Sequence, residues 1–270
     1  MPNVKIDATL DMHYEMDDFT DPWTDPPVAV MHHGIAKSSR FWYAWVPHLA
    51  RRFRVYRIDA RGFGQSSVPP PDFRLSLDSY TSDLLAFMDK LGLRKVHLLG
   101  ETFGGTVTLK FAHDHPERLH SLVLCAAPHT FVALKQRNPE EVRMLREHGV
   151  AEWARETMYG RFDRTQVPAG LIDWYQEQMS RANPRSVIGV VSHLPEVDLT
   201  PLLSHVRVPV LIIGGEKSIL MPPAWLEGMR KTLPRAELVI IPGAQHHVQA
   251  AFPDRCAQEA VIFMLKAGSA

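Results

Sequence analysis

The sequence predicts an α/β fold: a mostly parallel, doubly wound sheet of eight strands with a helical insertion. Two observations carry that class. Short apolar runs alternate along the chain with segments of helical period. Residues 131–203 break the rhythm, holding helix-like stretches rich in Arg, Glu, Met and Trp and no strong strand. On that basis residues 1–130 and 204–270 form the core and residues 131–203 a helical lid. Active sites of open parallel sheets lie at the carboxyl ends of strands, so a lid there would shape a substrate pocket.

The elements follow in order. Residues 4–6 and 10–16 alternate in polarity, as an antiparallel hairpin at a sheet edge does. The Asp- and Pro-rich stretch 18–27 is a loop. Residues 28–32 form a continuous apolar strand, and 41–51 has helical spacing through Phe41, Trp45 and Leu49. Strand 53–58 leads into a glycine-containing loop at 59–67 and the rigid connector Pro69-Pro70-Pro71. An amphipathic helix at 77–91 precedes strand 96–100, a helix at 103–115 and a buried strand at 119–127. After the insertion come strand 208–214, a helix near 222–232, strand 238–241 and a closing helix at 253–266. No internal repeat is visible.

The 270 residues are 45% hydrophobic and 22% charged, enough apolar material for a sizeable core, which excludes a disordered or fibrous chain. Thirty Lys+Arg balance thirty Asp+Glu, so no global pull toward nucleic acid or an anionic membrane is expected. Two cysteines make no disulfide framework, and Cys125, in an apolar run, reads as a small buried hydrophobe. No apolar stretch is long enough to span a bilayer, and Lys5 and Asp7 stand where a signal peptide needs apolar residues. The expectation is a soluble, cytoplasmic protein, monomer or homodimer, with a small-molecule substrate.

The chemistry concentrates at Gly100-Glu101-Thr102-Phe103-Gly104, between a buried strand and a helix. Small residues flanking Thr102 suit a sharp strand-to-helix turn, where backbones approach closely. Such a turn would raise the Thr102 hydroxyl above the sheet edge beside a helix N-terminus, whose N–H groups favour developing negative charge.

With these residues in view, the chain resembles the α/β-hydrolase family over nearly its whole length. His33-Gly34 looks like that family's oxyanion-loop motif. Residues 59–66 (Asp-Ala-Arg-Gly-Phe-Gly-Gln-Ser) are similar to its D-x-R-G-x-G-x-S loop. Gly100 to Gly104 matches G-x-S-x-G with Thr for Ser. The strand 208–214 resembles the one before the acid loop, and Pro242-Gly243-Ala244-Gln245-His246 the loop carrying the family's histidine. The resemblance implies Thr102 as nucleophile, His246 as general base, and the N–H groups of Ile35 and Phe103 as oxyanion donors. His246 is preferred to His247 for its spacing from Pro242-Gly243 and Pro253.

Two positions depart from the family. Thr102 keeps a hydroxyl, but its methyl adds bulk and stiffens χ1. Ser218 stands where the family usually has Asp, and the alternative acid position reads Ala126-Ala127-Pro128. Glu216 is a candidate acid for orienting His246, displaced by two residues, or else a loop carboxylate. Ser218 could meet the imidazole as a neutral partner, which stabilises imidazolium less than a carboxylate does. Glu101 reads as structural or supporting.

Gly34, Arg40, Trp42, Trp153, Tyr159 and Trp174 are the candidate pocket residues. Arg40 could meet a substrate carboxylate or be a solvated arginine. Trp42 could wall the acyl side or be plain core. The lid aromatics, with Met158, Tyr175 and Met179, suggest an apolar ceiling or simply packing between lid helices. Fourteen histidines show no zinc-site spacing, no P-loop or dinucleotide fingerprint occurs, and no metal or cofactor is expected. The reading is a cofactor-independent hydrolase cleaving an ester, lactone or activated C–C bond of a small, largely apolar substrate through an acyl-enzyme on Thr102. The rivals are a lyase or cofactor-free oxygenase with His246 as base, an attenuated or substituted hydrolase, and a silent binding protein.

Overall fold

Alternation of buried side chains along each central strand sets the layers. In strand β3 (Val28–His32) Val30 enters one apolar cluster, while Ala29 and Met31 enter the other. Strands β6 (Leu119–Cys125) and β7 (Val210–Gly215) split likewise: Leu122, Leu124, Val210 and Ile212 face one side, Val123, Cys125, Leu211 and Ile213 the other. A strand buried on both faces needs helices on both, and the chain supplies them.

The computed structural model describes residues 2–136 and 138–268. The remaining strands are β1 (Asn3–Lys5), β2 (Asp11–Asp17), β4 (Arg54–Ile58), β5 (Val96–Glu101) and β8 (Ala236–Ile241). They join one eight-stranded sheet in the order β1-β2-β4-β3-β5-β6-β7-β8. β1 pairs with β2, and β2 with β4, antiparallel; every other pair is parallel. The mostly parallel, doubly wound sheet read from the sequence is therefore present, with the hairpin at its edge.

The helices are α1 (Val46–Leu49), α2 (Leu77–Lys90), α3 (Thr102–Asp114), α4 (Asn138–Glu156), α5 (Ala169–Ser180), α6 (Pro184–His193), α7 (Pro223–Thr232), α8 (Val248–Ala251) and α9 (Pro253–Gly268). Helix α2 starts at a reciprocal cap, with Ser76 and Ser79 each accepting the other's N–H. The single helix expected at 41–51 is instead a 3-10 segment, Ser39–Trp45, followed by the short α1. Pro47 has no N–H to continue an α ladder and is tolerated only in a helix's first turn, so α1 restarts there. The three-residue repeat places Trp42 and Trp45 together in the core.

Between β6 and β7 run α4, α5 and α6. Gly149 interrupts α4 with φ 80° and ψ 178°, and α4 packs against both α5 and α6. This insertion meets the carboxyl-end loops directly: Phe41 lies 5.1 Å from the Trp174 ring and 4.7 Å from Tyr175. Among the described residues no helix is long and apolar enough to cross a membrane.

The loop at 59–66 is a structural hub. Asp59 accepts the N–H groups of Ser39 (2.6 Å) and Gln65 (2.8 Å) and meets His13 Nδ1 at 2.9 Å. Arg61 forks onto Asp83 and also reaches Asp7. These contacts tie the edge strands to the oxyanion loop, and they explain the motif without any chemical step.

His97 gives the fold a pH limit. Its Nδ1 meets Ser121 Oγ at 2.8 Å, and burial, with His120 behind it, pushes the imidazole down to about 4. Between the unfolded value near 6.5 and that value, the unfolded chain takes up a proton that the folded one refuses. Stability is therefore lost as pH falls through that window. Urea unfolding at pH 7 and pH 5 should show His97→Gln losing about 2 kcal/mol less than wild type over the interval. Equal losses would contradict it.

Candidate active site

The turn after β5 is built by close approach. Thr102 opens α3 at φ 47°, a left-handed conformation rare for a β-branched residue. It persists because the following backbone packs tightly: a Cβ on Gly104 would lie 2.1 Å from the His33 carbonyl oxygen. Across the cleft, a Cβ on Gly34 would lie 2.0 Å from Thr102 Oγ1. The hydroxyl is thus packed against the oxyanion loop. Among the described residues it has no hydrogen-bond partner, His246 included. The N–H groups of Ile35 and Phe103 likewise have no partner among those residues, leaving both free to donate.

The rings beside that loop are pinned. His33 Nδ1 donates to the Gly34 carbonyl at 2.7 Å, and its Nε2 accepts the Ala60 N–H at 2.9 Å. His32 Nδ1 donates to the His33 carbonyl at 2.8 Å. Burial pushes His32 down to about 3, so both rings serve as neutral struts.

His246 arrives on the loop after β8. Its N–H meets the Gly160 carbonyl at 3.4 Å and the His247 N–H meets that of Arg161 at 3.0 Å, so the lid backbone holds this loop. His246 Nδ1 faces Ser218 Oγ at 3.5 Å, the outer limit of a hydrogen bond, while Ser218 Oγ accepts the Met221 N–H at 3.1 Å. Glu216 is elsewhere: its exposed carboxylate accepts the Gly243 N–H at 2.7 Å and braces the turn, with no bond to the ring. Among the described residues no carboxylate is hydrogen-bonded to His246. Burial, then the charges of Arg161 and Lys37, push this imidazole down to about 3. The ring is neutral over the physiological range, in surroundings that oppose its protonated form.

The pocket candidates separate. Trp42 is fully buried in the cluster against α9, with Trp45 and away from the lid aromatics, and is core rather than a pocket wall. Tyr159 is 87% exposed, on a turn that Gly160 at φ 78° swings outward, so it is no part of an apolar ceiling. Arg40 is exposed, and among the described residues its side chain hydrogen-bonds the Gln178 amide oxygen alone, at 3.3 Å. Trp174 packs against Phe41 at a tilt and edge-on against Tyr43. Trp153 is buried, donates to Glu141 at 2.8 Å and lies under the Arg161 guanidinium. Trp153, Met158, Phe162, Tyr175 and Met179 are among the buried residues of the insertion, and Phe162 and Tyr175 lie against the His247 ring.

Sequence reasoning missed Lys37, which is buried and bonded to Glu101 at 2.7 Å. The signal was Glu101 itself, because a carboxylate ending a buried strand needs a cation. Which cation answers it is decided across 64 residues of chain.

Residues 27–253 match the family model described as the α/β hydrolase fold. The chain is 30% identical to the pimeloyl-[acyl-carrier protein] methyl ester esterase of Nitrosomonas europaea, over 85% of this chain and 92% of that one. A thermophilic esterase from Thermogutta terrifontis superposes with TM-score 0.89 at 26% identity, covering 99% of this chain and all of that one. The enol-lactonase of Burkholderia xenovorans LB400 superposes equally well at 20% identity, with 98% and 100% covered.

Proposed function

Because the chain belongs to the α/β-hydrolase family and is 30% identical to a methyl ester esterase, we propose that it is a cofactor-independent carboxylic ester hydrolase working through an acyl-enzyme on Thr102. The observation that supports this reading is the left-handed turn at Thr102, which packs the hydroxyl against Gly34, while the Ile35 and Phe103 N–H groups have no partner among the described residues. In the reaction the Thr102 oxygen leaves its contact with Gly34 and gives its proton to the imidazole. His246 Nε2 takes the hydroxyl proton, Oγ1 attacks the acyl carbon, and the oxyanion forms against the Ile35 and Phe103 N–H groups. The leaving group departs with the proton from His246, and water repeats the sequence to release the acid. As a lid, the insertion with Phe162 and Tyr175 against the histidine loop suits a small, largely apolar acyl group, as an ester, a lactone or an activated C–C substrate.

The test is covalent. Wild-type protein quenched during turnover of p-nitrophenyl acetate should carry one acetyl group on the peptide containing Thr102. Turnover with that peptide unmodified would sink the assignment. A second reading has its own support, since Thr102 and His246 are not hydrogen-bonded: His246 acts as a lone base in a lyase or oxygenase reaction, and Thr102→Ala then keeps most activity.

A further inference from the structure

Glu101 ends β5 one residue before Thr102, and its side chain and that of Lys37 are 2% and 1% exposed. Its Oε1 accepts the Gly34 N–H at 3.3 Å, and its Oε2 accepts the Lys37 ammonium at 2.7 Å. Gly34 and Lys37 bracket Ile35 and Ala36, the tip of the oxyanion loop. Ala36 sits at φ 57°, a sparsely populated state for an alanine that persists only where its surroundings over-determine it. The carboxylate supplies that constraint from both sides.

The same carboxylate reaches the histidine loop. Gln249 donates its amide to Glu101 Oε2 and lies 3.3 Å from His247 Nδ1. Lys37 Nζ and the Tyr175 hydroxyl meet that nitrogen at 3.2 and 3.1 Å. Donors converging on one nitrogen assign His247 as the neutral tautomer with its hydrogen on Nε2. One buried network therefore joins the elbow, the oxyanion loop, the histidine loop and the lid.

We propose that Glu101 is a positioning residue for the reaction, clamping the oxyanion loop on both sides of the Ile35 N–H through Gly34 and Lys37. The proposal rests on the acyl-transfer reading above. An oxyanion donor helps only if it is already aimed where charge develops, so loosening the clamp lowers kcat more than it raises KM. Lys37 has a second effect. His246 is faced by Lys37, Arg161, His247 and Ser218, and Lys37 in turn by Glu101, Arg161, His247 and Tyr175. Removing the Lys37 charge eases protonation of His246, which moves the acid limb of the pH–rate profile upward. A packing role alone leaves that limb in place.

Three variants test this: Glu101→Gln, Lys37→Met and the two combined. A single replacement strands a buried charge and can unfold the chain, whereas the pair strands none. Hydrogen–deuterium exchange over residues 33–38 and p-nitrophenyl acetate turnover are read together. Glu101→Gln should speed exchange in that segment and lower kcat about 10–100-fold with KM little changed. Lys37→Met should do the same and raise the acid limb. The combined variant should lose less than the product of the singles. A folded combined variant with wild-type exchange at 33–38, or with kcat within about twofold of wild type, overturns the clamp. Wild-type protein that turns over no aryl ester overturns the acyl-transfer reading instead, and the exchange result then decides whether the tie exists.

Discussion

Ser218→Asp is expected to raise kcat for p-nitrophenyl acetate by on the order of 10²-fold. Replacing the carboxylate behind a catalytic histidine by a neutral group costs up to about 10⁴ in kcat where it has been measured in serine proteases, which bounds the gain. The geometry favours a large share of it. Ser218 Oγ already faces His246 Nδ1, at 3.5 Å, and an aspartate is one atom longer. The new charge would offset the fields of Arg161 and Lys37, the two cations that now oppose imidazolium at His246. A carboxylate on Nδ1 raises the pKa of the ring. Since the base must be neutral to act, the acid limb of kcat/KM should move to higher pH as kcat rises. Stopped-flow rates across pH 4–9 check both, the variant's acid limb entering a range in which the wild-type rate is flat. An unchanged rate in a variant whose aspartate is hydrogen-bonded to His246 would mean that proton transfer to this ring is not limiting.

Thr102→Ser is expected to raise kcat/KM about tenfold, and Thr102→Ala to lower kcat by about 10³-fold or more. The methyl of Thr102 restricts χ1 at a residue already held at φ 47°, and in the proposed reaction the oxygen must leave its contact with Gly34 to pass its proton to His246. Serine keeps the oxygen and frees the rotor. Relief of the β-branched strain should also raise the thermal midpoint slightly. Parallel kinetics and melting curves on the three proteins check this. An alanine variant with near wild-type turnover would move the chemistry to His246 alone. Combining Thr102→Ser with Ser218→Asp should not simply multiply the two gains, because both act on one proton transfer.

Much of the site was legible because its parts are local. Gly100, Thr102 and Gly104 lie within five residues, and a bend that tight has few solutions. The free N–H groups of Ile35 and Phe103 follow from the same short loops. Trp42 and Tyr159 were less legible, because an aromatic residue in a helical segment does not reveal which face meets the lid. A three-residue repeat turned Trp42 into the core, and Gly160 turned Tyr159 into solvent. Glu216 lies near the acid position in sequence, yet its carboxylate braces Gly243.

Periodicity and glycine placement alone determined the sheet, its flanking helices and the elbow, because side-chain alternation and close backbone approach are short-range constraints. Tertiary structure alone decided the electrostatics of the site. Burial and two distant cations hold His246 neutral, and Lys37 finds Glu101 across 64 residues. Charges taken out of water must be answered by whatever the fold brings beside them, and that neighbour is set by packing in three dimensions rather than by order along the chain.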